Sequence, residues 1–274
     1  MLNWPAVALG TLLCAAAAPA GADEKPLWEL GLGTGLLIFN DYRGSSTTHG
    51  YLLPVPYFVY RGELFKADDK GFRGLFVHHA RLELELSVNA TTPVRNDSAR
   101  SGMPDLRPTL EIGPQLDVHL WRSNDRRSRL DLRVPARAAF TAQAVPHLVG
   151  VFVAPNLSLD ISAHPNGGWK LGLLAGPLFA DHRYDRYFYS VAPQYATAGR
   201  PAYDAPGGYA GTQLLAALTR RYPAWWFGAY VRHDTLAGAS FAASPLVKRE
   251  SYWSGGLAVV WIVRRSAQRV ESEE

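Results

Sequence analysis

Strict alternation of apolar and polar side chains between Ala80 and Ala90 is the sequence feature that most limits how this chain folds. The apolar positions are Leu82, Leu84, Leu86 and Val88, and the polar positions are Arg81, Glu83, Glu85, Ser87 and Asn89. Successive side chains of a β-strand point to opposite faces, so the segment predicts a strand with one apolar and one ionic face. A helix would scatter the same residues around its whole circumference.

The same alternation recurs along the chain and predicts an all-β protein. Clear copies occupy residues 110–120, 130–138 and 149–161, and weaker copies occupy 28–40, 51–66, 72–79, 169–181, 209–220, 225–234 and 251–264. A soluble β-sandwich also alternates in this way. Aromatic side chains near many of the strand ends favour a membrane barrel, whose interfaces carry aromatic girdles.

The connections between these segments alternate between long and short. The long ones are residues 41–50, 91–107, 142–148, 182–208 and 235–250, and the short ones are 67–71, 123–128, 163–168 and 221–224. This is the layout of an outer-membrane barrel, with tight periplasmic turns and extended outer loops. We therefore predict a transmembrane antiparallel up-and-down β-barrel of ten strands with both termini periplasmic. The count treats residues 72–90 as one strand. A break near His78 and His79, or a hairpin within the connection 182–208, would raise it to twelve.

The first segment predicts export. Residues 1–22 contain no charged side chain, and Ala20, Gly21 and Ala22 form a small-x-small cleavage site before Asp23. We therefore predict a signal peptide at 1–22, a barrel domain at 23–265 and a polar tail at 266–274. The single cysteine, Cys14, lies inside the signal, so the exported chain has no thiol for disulfides, metal binding or nucleophilic catalysis. The net charge of +4 is spread along the chain and indicates no nucleic-acid partner.

Charged residues on the polar faces of the predicted strands form a candidate ionic lattice inside the barrel. Its members are Arg81, Glu83, Glu85, Glu111, Asp117, Asp131, Arg133, Arg137, Asp160 and Lys170. Glu83 and Glu85 share a face roughly 6.5–7 Å apart, a separation that inverting glycosidases use. Arginines in the same interior explain the pair as structural, so we expect no catalytic residues, no metal and no cofactor. A barrel of this size with such a lining should be largely plugged.

The longest connection is rich in tyrosine and arginine and forms a candidate recognition surface. The residues concerned are Arg183, Tyr184, Arg186, Tyr187, Tyr189, Arg200 and Tyr203. Tyrosine and arginine are favoured in binding surfaces. A loop folded over the barrel mouth explains them equally well. Weaker candidates are a metal site at His182 with Asp181 and Asp185, and a hydrolase site at Ser240 with His233 and Asp234, for which no Gly-x-Ser-x-Gly motif is found.

A series of short motifs follows a fixed order through the mature chain. They read WELGLG at 28–33, DYRGS at 41–45, GMPDL at 102–106, EIGP at 111–114, AGPLFAD at 175–181, YFYSV at 187–191, RPAYD at 200–204 and SPLV at 244–247. In this order and spacing the chain resembles the MipA/OmpV family, the MltA-interacting outer-membrane proteins. The resemblance extends from Trp28 to about Val263.

The resemblance implies a non-enzymatic outer-membrane scaffold. The implied partners are the lipid bilayer, a lytic murein transglycosylase, a bifunctional penicillin-binding synthase and, during biogenesis, the barrel-assembly machinery. The family supplies no catalytic residues to carry over to this chain. A narrow or gated pore and an adhesin are the alternative functions, and an outer-membrane lipid hydrolase is the third.

Overall fold

Antiparallel strands make up most of the chain in a computed structural model that describes residues 24–61, 65–68, 71–79, 81–164 and 168–271. The strands are β1 (Glu24–Pro26), β2 (Trp28–Asn40), β3 (Thr48–Arg61), β4 (Phe65–Asp68), β5 (Gly71–His79), β6 (Leu82–Ala90), β7 (Thr109–Arg122), β8 (Ser128–Thr141), β9 (Leu148–Val153), β10 (Asn156–Ser162), β11 (Trp169–Ala180), β12 (Gly208–Arg221), β13 (Trp225–Thr235), β14 (Ser251–Arg265) and β15 (Arg269–Glu271). Within these described residues, one α-helix, α1 (His182–Tyr189), and two 3-10 turns, Ser98–Arg100 and Pro193–Tyr195, lie between strands. The all-β prediction is confirmed, and the predicted signal peptide lies outside the described residues.

Thirteen of the described strands belong to one sheet. Its order is β10-β11-β12-β13-β14-β2-β3-β4-β5-β6-β7-β8-β9, and β8 pairs with β10 as well as with β9. Residues Ser128 to Arg133 of β8 pair with β10, from Ser128 opposite Ile161 to Arg133 opposite Asn156. The next part of β8, from Ala136 to Phe140, pairs with β9. The strands β9 and β10 therefore succeed each other along one edge of β8. None of the helices in the described ranges is long and apolar enough to cross a membrane.

The single strand predicted for residues 72–90 is wrong. The structure divides it into β5 and β6, which pair as an antiparallel hairpin with His79 opposite Leu82, so the break lies near His78 and His79 as the alternative prediction had it. The alternation is broken in the sequence by three consecutive apolar residues, Leu75, Phe76 and Val77, and the pairing register shifts between Leu75 and Val77. Together with the short β4, the hairpin adds strands that the ten-strand count did not contain.

The two ends of the described chain meet. β1 and β15 form a separate two-stranded antiparallel sheet in which Glu24 lies opposite Glu271 and Pro26 opposite Arg269. The polar tail predicted at residues 266–274 thus contributes a strand, while residues 272–274 lie outside the described part. This small sheet lies on the side of the large sheet where the connections 123–127, 163–168 and 222–224 are short, which we call the turn end. The opposite side is the loop end.

The large sheet buries its charged face and exposes its apolar face. Along β7, Leu110, Ile112 and Leu116 are 44%, 38% and 40% exposed, whereas Glu111 and Asp117 are 1% and 5% exposed. Because side chains alternate between the two faces of a strand, one side of the sheet is apolar throughout this strand and the other is ionic. This is the reverse of a soluble protein, in which charged groups are seldom buried.

The main apolar core lies among the long connections rather than inside the sheet. Residues 41–47, 91–108, 181–207 and 236–250 pack together at the loop end, and we call their packed apolar side chains the loop-end core. Members with large side chains are Tyr42, Val94, Leu106, Phe188, Tyr189, Val191, Leu236, Phe241 and Leu246. The rings of Tyr189 and Phe241 stack with centroids 3.7 Å apart and an angle of 8° between their planes. The long connections are therefore ordered by apolar packing.

Candidate functional site

The polar interior of the sheet, beneath the loop-end core, is the candidate functional site. It contains a cavity of about 320 Å³. Residues of β6, β7 and β8 line one wall, and residues of β12, β13 and β14 line another. Residues 41–43 and the helix α1 contribute from the loop end. Three groups of charged side chains surround or adjoin this cavity.

The first group is an ion-pair network centred on Asp131 and Arg133 of β8. Asp131 lies 2.9 Å from His119 Nδ1 and 2.8 Å from Arg129 Nε. The Arg133 guanidinium lies 3.5 Å from Asp117, 3.6 Å from Asp131 and 3.4 Å from Asp160. Cross-strand pairing explains the network. Asp117 and His119 of β7 lie opposite Arg133 and Asp131 of β8, and Asp160 of β10 lies opposite Arg129 of β8. Directly opposed residues share a face and touch.

The second group joins β7 and β8 to the loop end. Arg137 lies 3.9 Å from Glu111, and its Nε donates to Ser87 Oγ at 2.9 Å. Glu111 also accepts hydrogen bonds from the Tyr184 hydroxyl at 2.8 Å and from Asn89 at 3.0 Å. The lattice is thus tied directly to α1.

The structure brings most of the predicted lattice together. Asp117, Asp131, Arg133 and Asp160 form one network, Glu111 contacts Arg137, and Glu85 is buried. Glu83 lies 3.5 Å from His119. Lys170 is half-buried near the start of β11. Arg81 departs from the prediction, because it lies in the turn between β5 and β6 and its side chain is exposed.

Two members of the network were missed by the sequence reasoning. His119 follows Asp117 at a spacing of two on the polar face of β7, so its position could have been inferred from the alternation. Arg129 gave a weaker signal because it lies next to the turn at residues 123–127, where the face of a side chain is poorly defined by periodicity.

The tyrosine-rich connection folds over the mouth of the sheet. α1 begins where the Asp181 side chain accepts a hydrogen bond from the Tyr184 amide at 2.8 Å, a typical N-cap. Gly150 of β9 permits this close approach, because a Cβ there would lie 2.4 Å from the Tyr184 nitrogen. The ring of Tyr184 then stacks on Phe152 of β9, with centroids 5.4 Å apart.

The predicted recognition residues divide into two sets. Tyr187 donates to the Arg107 carbonyl at 3.0 Å, Tyr189 stacks on Phe241, and Arg200 donates to the carbonyls of Ala99 and Ser101 at 3.0 and 2.8 Å. Tyr203 pairs through its backbone with Val191. Arg183 and Arg186 are exposed, and Arg186 lies 3.5 Å from Asp204. The geometry favours a folded cap for the tyrosines and leaves the two arginines on the surface.

The third group of charges faces the cavity from β13 and residues 41–47. Asp234 lies 3.1 Å from Arg43 Nε and 2.6 Å from Arg232 Nε, and Arg43 Nη1 donates to the Ala210 carbonyl at 2.6 Å. Asp185 of α1 also lines the cavity and is buried.

Asp185 is an unusual buried acid. Burial raises the pKa of its carboxyl from 3.8 to about 7, which Arg43 opposes and Asp181 reinforces. Within the described residues neither carboxylate oxygen makes a well-formed hydrogen bond; the nearby Ser240 hydroxyl donates to the Pro206 carbonyl at 3.1 Å and also lowers the pKa of Asp185, less than the other groups named here change it.

The remaining catalytic and metal candidates do not assemble into reactive constellations. His233 Nε2 contacts Ser251 Oγ at 2.7 Å, whereas Ser240 bonds to the Pro206 carbonyl and Asp234 pairs with arginines. Within the described ranges, no group of three or more His, Cys, Asp or Glu residues is arranged to hold a metal ion. His182 lies 3.8 Å from Asp204.

A sheet with an ionic interior, an apolar exterior and exposed tryptophans near its strand ends is typical of bacterial outer-membrane proteins. The family model described as MltA-interacting protein MipA matches residues 32–263. The chain belongs to this family, which confirms the resemblance seen in the ordered motifs. It is also 25% identical over 213 residues to the outer membrane protein OmpV of Vibrio cholerae serotype O1, covering 74% of this chain and 76% of that protein. The protein is therefore located in the outer membrane.

Two solved structures show a distant likeness. One is a bacterial polysaccharide outer membrane secretin, 8% identical, with a TM-score of 0.42 over 87% of this chain and 99% of that chain. The other is the Pseudomonas putida toluene transporter TodX, 12% identical, with a TM-score of 0.24 over 91% of this chain and 69% of that chain. TM-scores of this size carry no conclusion about this chain.

Proposed function

We propose that this protein is a non-enzymatic β-barrel scaffold of the outer membrane that binds murein-remodelling enzymes at its periplasmic side. The family's description as MltA-interacting supports the choice of partner. In this proposal a lytic transglycosylase and a bifunctional penicillin-binding synthase are held by the same surface.

The proposal takes the large sheet to be a closed barrel of twelve strands. The pairing of β8 with both β7 and β10 supports closure, since it links the first strand of the sheet order to the strands at its other end. Counting β9 and β10 as one strand interrupted at Ala154 and Pro155 gives the number twelve. Closure would leave no unpaired backbone edge in lipid. The termini and short turns then lie in the periplasm, where wall enzymes are found.

The loop-end core is the observation that favours a scaffold function over a pore function. A barrel of about this size has little free lumen once its side chains pair across it. Here the Asp131–Arg133 network occupies the interior, and Tyr189 and Phe241 pack at the mouth. An interior crossed by this network and covered at its mouth leaves the two ends of the barrel as the surfaces for binding.

A binding experiment tests the scaffold. The purified protein in detergent micelles is passed over an immobilised lytic transglycosylase and, separately, over the synthase. The variant Arg126→Gln/Arg127→Gln removes two charges from the exposed turn at 123–127, and Arg183→Gln/Arg186→Gln removes two from the exposed loop end. We expect wild type and the loop-end variant to bind and the turn-end variant to bind more weakly. Repeated failure of the wild type to bind either enzyme refutes the proposal.

A narrow or gated pore is the second candidate, and the cavity of about 320 Å³ favours it. In a pore this cavity would form part of the conducting path, and movement of the loop-end core would complete the channel. The test is conductance in planar lipid bilayers. Unitary steps support the pore, and a silent membrane with correctly folded protein rejects it.

A further inference from the structure

The lumenal cavity contains buried polar atoms that make no well-formed hydrogen bond within the described residues. They are both carboxylate oxygens of Asp185, Nη2 of Arg43 and the hydroxyl of Tyr252; Ser240 approaches Asp185 and Arg43 approaches Tyr252, but without good hydrogen-bond geometry. Asp185 is 1% exposed and Tyr252 is 7% exposed, and all three residues line the same cavity.

Such atoms are costly to leave unsatisfied. A buried polar group without a partner loses its hydration and gains no protein hydrogen bond in return, which costs roughly 1–3 kcal/mol. The rest of Arg43 is fully used, since Nε pairs with Asp234 and Nη1 donates to the Ala210 carbonyl. The remaining donor, Nη2, makes no well-formed hydrogen bond within the described residues, and the guanidinium lies near the Tyr252 hydroxyl.

The unsatisfied groups have complementary chemistry and belong to one neighbourhood. The charge of Arg43 acts on both the Asp185 carboxyl and the Tyr252 hydroxyl. Arg43 Nη2 and Tyr252 can donate hydrogen bonds to an anion, and Asp185 can accept them from a cation. An α-amino acid carries its carboxylate and its ammonium on a single carbon, so one small ligand offers a partner to each of these protein groups.

We propose that this cavity binds the zwitterionic head of an α-amino acid, with the ligand carboxylate held by Arg43 Nη2 and the Tyr252 hydroxyl and the ligand ammonium held by Asp185. The volume of about 320 Å³ lies at the small end of ligand-binding cavities, which suits a single amino acid. Leu37, Leu174 and Leu215 also line the cavity and offer an apolar surface to the ligand side chain.

Three ligands test the two halves of the site in wild-type protein. Isothermal titration calorimetry in detergent micelles at pH 8, where Asp185 is ionised, compares leucine, leucine methyl ester and N-acetyl-leucine. The ester lacks the carboxylate and the acetylated form lacks the ammonium. We expect leucine to bind at least tenfold more tightly than either analogue. Absence of leucine binding, or equal binding of all three ligands, overturns the proposal.

Two variants test which residue holds the ammonium of the ligand and which holds its carboxylate. Asp185→Asn should weaken leucine binding at least tenfold while leaving N-acetyl-leucine unchanged, because that ligand has no ammonium to lose. Tyr252→Phe should weaken leucine binding and leave the methyl ester unchanged. The matched controls Asp204→Asn and Tyr222→Phe alter exposed residues outside the cavity and should bind leucine like wild type.

The ligand-specific pattern separates binding from general disruption. A structural defect would weaken all ligands together, and that outcome contradicts the assignment of residues to the two halves. Folding of each variant is checked by its electrophoretic mobility without heating. If a variant does not fold, the three-ligand comparison on the wild type decides the proposal alone.

Discussion

Placing one arginine on each face of β7 tests the orientation of the barrel wall. Leu116 lies near the middle of β7, is 40% exposed, and is flanked across the strands by Leu84 and Val134. An arginine on the lipid face at the bilayer midplane costs about 2–4 kcal/mol. Leu116→Arg should therefore lower the ratio of folded to unfolded protein by roughly 30-fold to 1000-fold.

The neighbouring residue provides the matched control. Gln115 points into the interior, where its amide donates to Asp117 at 2.8 Å and where it lies opposite Glu85. Gln115→Arg brings the same charge to carboxylates instead of to lipid, so we expect a smaller loss. Both variants are refolded from urea into phospholipid vesicles, and the folded fraction is measured by the mobility of unheated samples. Equal tolerance of the two arginines would refute the assignment of faces.

Three further predictions concern the interior. Burial raises the pKa of Asp185 from 3.8 to about 7, so between these pH values the folded state keeps a proton that the unfolded state has lost. The free energy of unfolding should therefore fall as the pH rises from 4 to 8, by up to about 4 kcal/mol. Asp185→Asn should remove this part of the pH dependence of the melting temperature, and an unchanged dependence contradicts the reasoning. Phe241→Ala should lower the free energy of unfolding by about 3–5 kcal/mol, because it leaves a cavity against Tyr189. Limited proteolysis should then cleave the long connections faster than in wild type. Cleavage at the wild-type rate would count against an ordered cap. Arg133→Met leaves buried carboxylates without their counter-charge and should lower the free energy of unfolding by about 3–5 kcal/mol. Urea titrations should show a far smaller loss for the exposed control Arg126→Met, and similar urea midpoints for the two variants would contradict the prediction.

The strands and their faces were predictable because a strand has a fixed period of two. Alternation alone places Glu111 and Asp117 on one face of β7, and the prediction of a membrane barrel makes that face the buried one. The hairpin of β5 and β6 was predicted only as the alternative to a single strand, since the apolar run Leu75 to Val77 hides a strand boundary. Local pattern gives the face of a residue but not the point at which pairing reverses direction.

The loop-end core and the cavity could not be read from the sequence. Phe241 and Leu246 lie in a connection without periodicity, so nothing local indicates that they are buried. Arg43, Asp185 and Asp234 are far apart in the chain and come together only when the sheet brings its long connections to one end. The helix α1 is too short for a periodic signal, although its Asp181 cap was recognisable in principle.

Accessibility of single cysteines measures the central claim most directly, namely that the apolar face of the sheet meets lipid and the ionic face lines the interior. Spin labels are placed at the adjacent pairs Gln115/Leu116 of β7 and Gln213/Leu214 of β12, one residue at a time, in protein reconstituted into vesicles. The chain's single cysteine lies in the predicted signal peptide, so each variant carries one label. We predict that labels at the two leucine positions collide mainly with lipid-dissolved oxygen and those at the two glutamine positions do not. Loss of this difference in both strands would contradict the account.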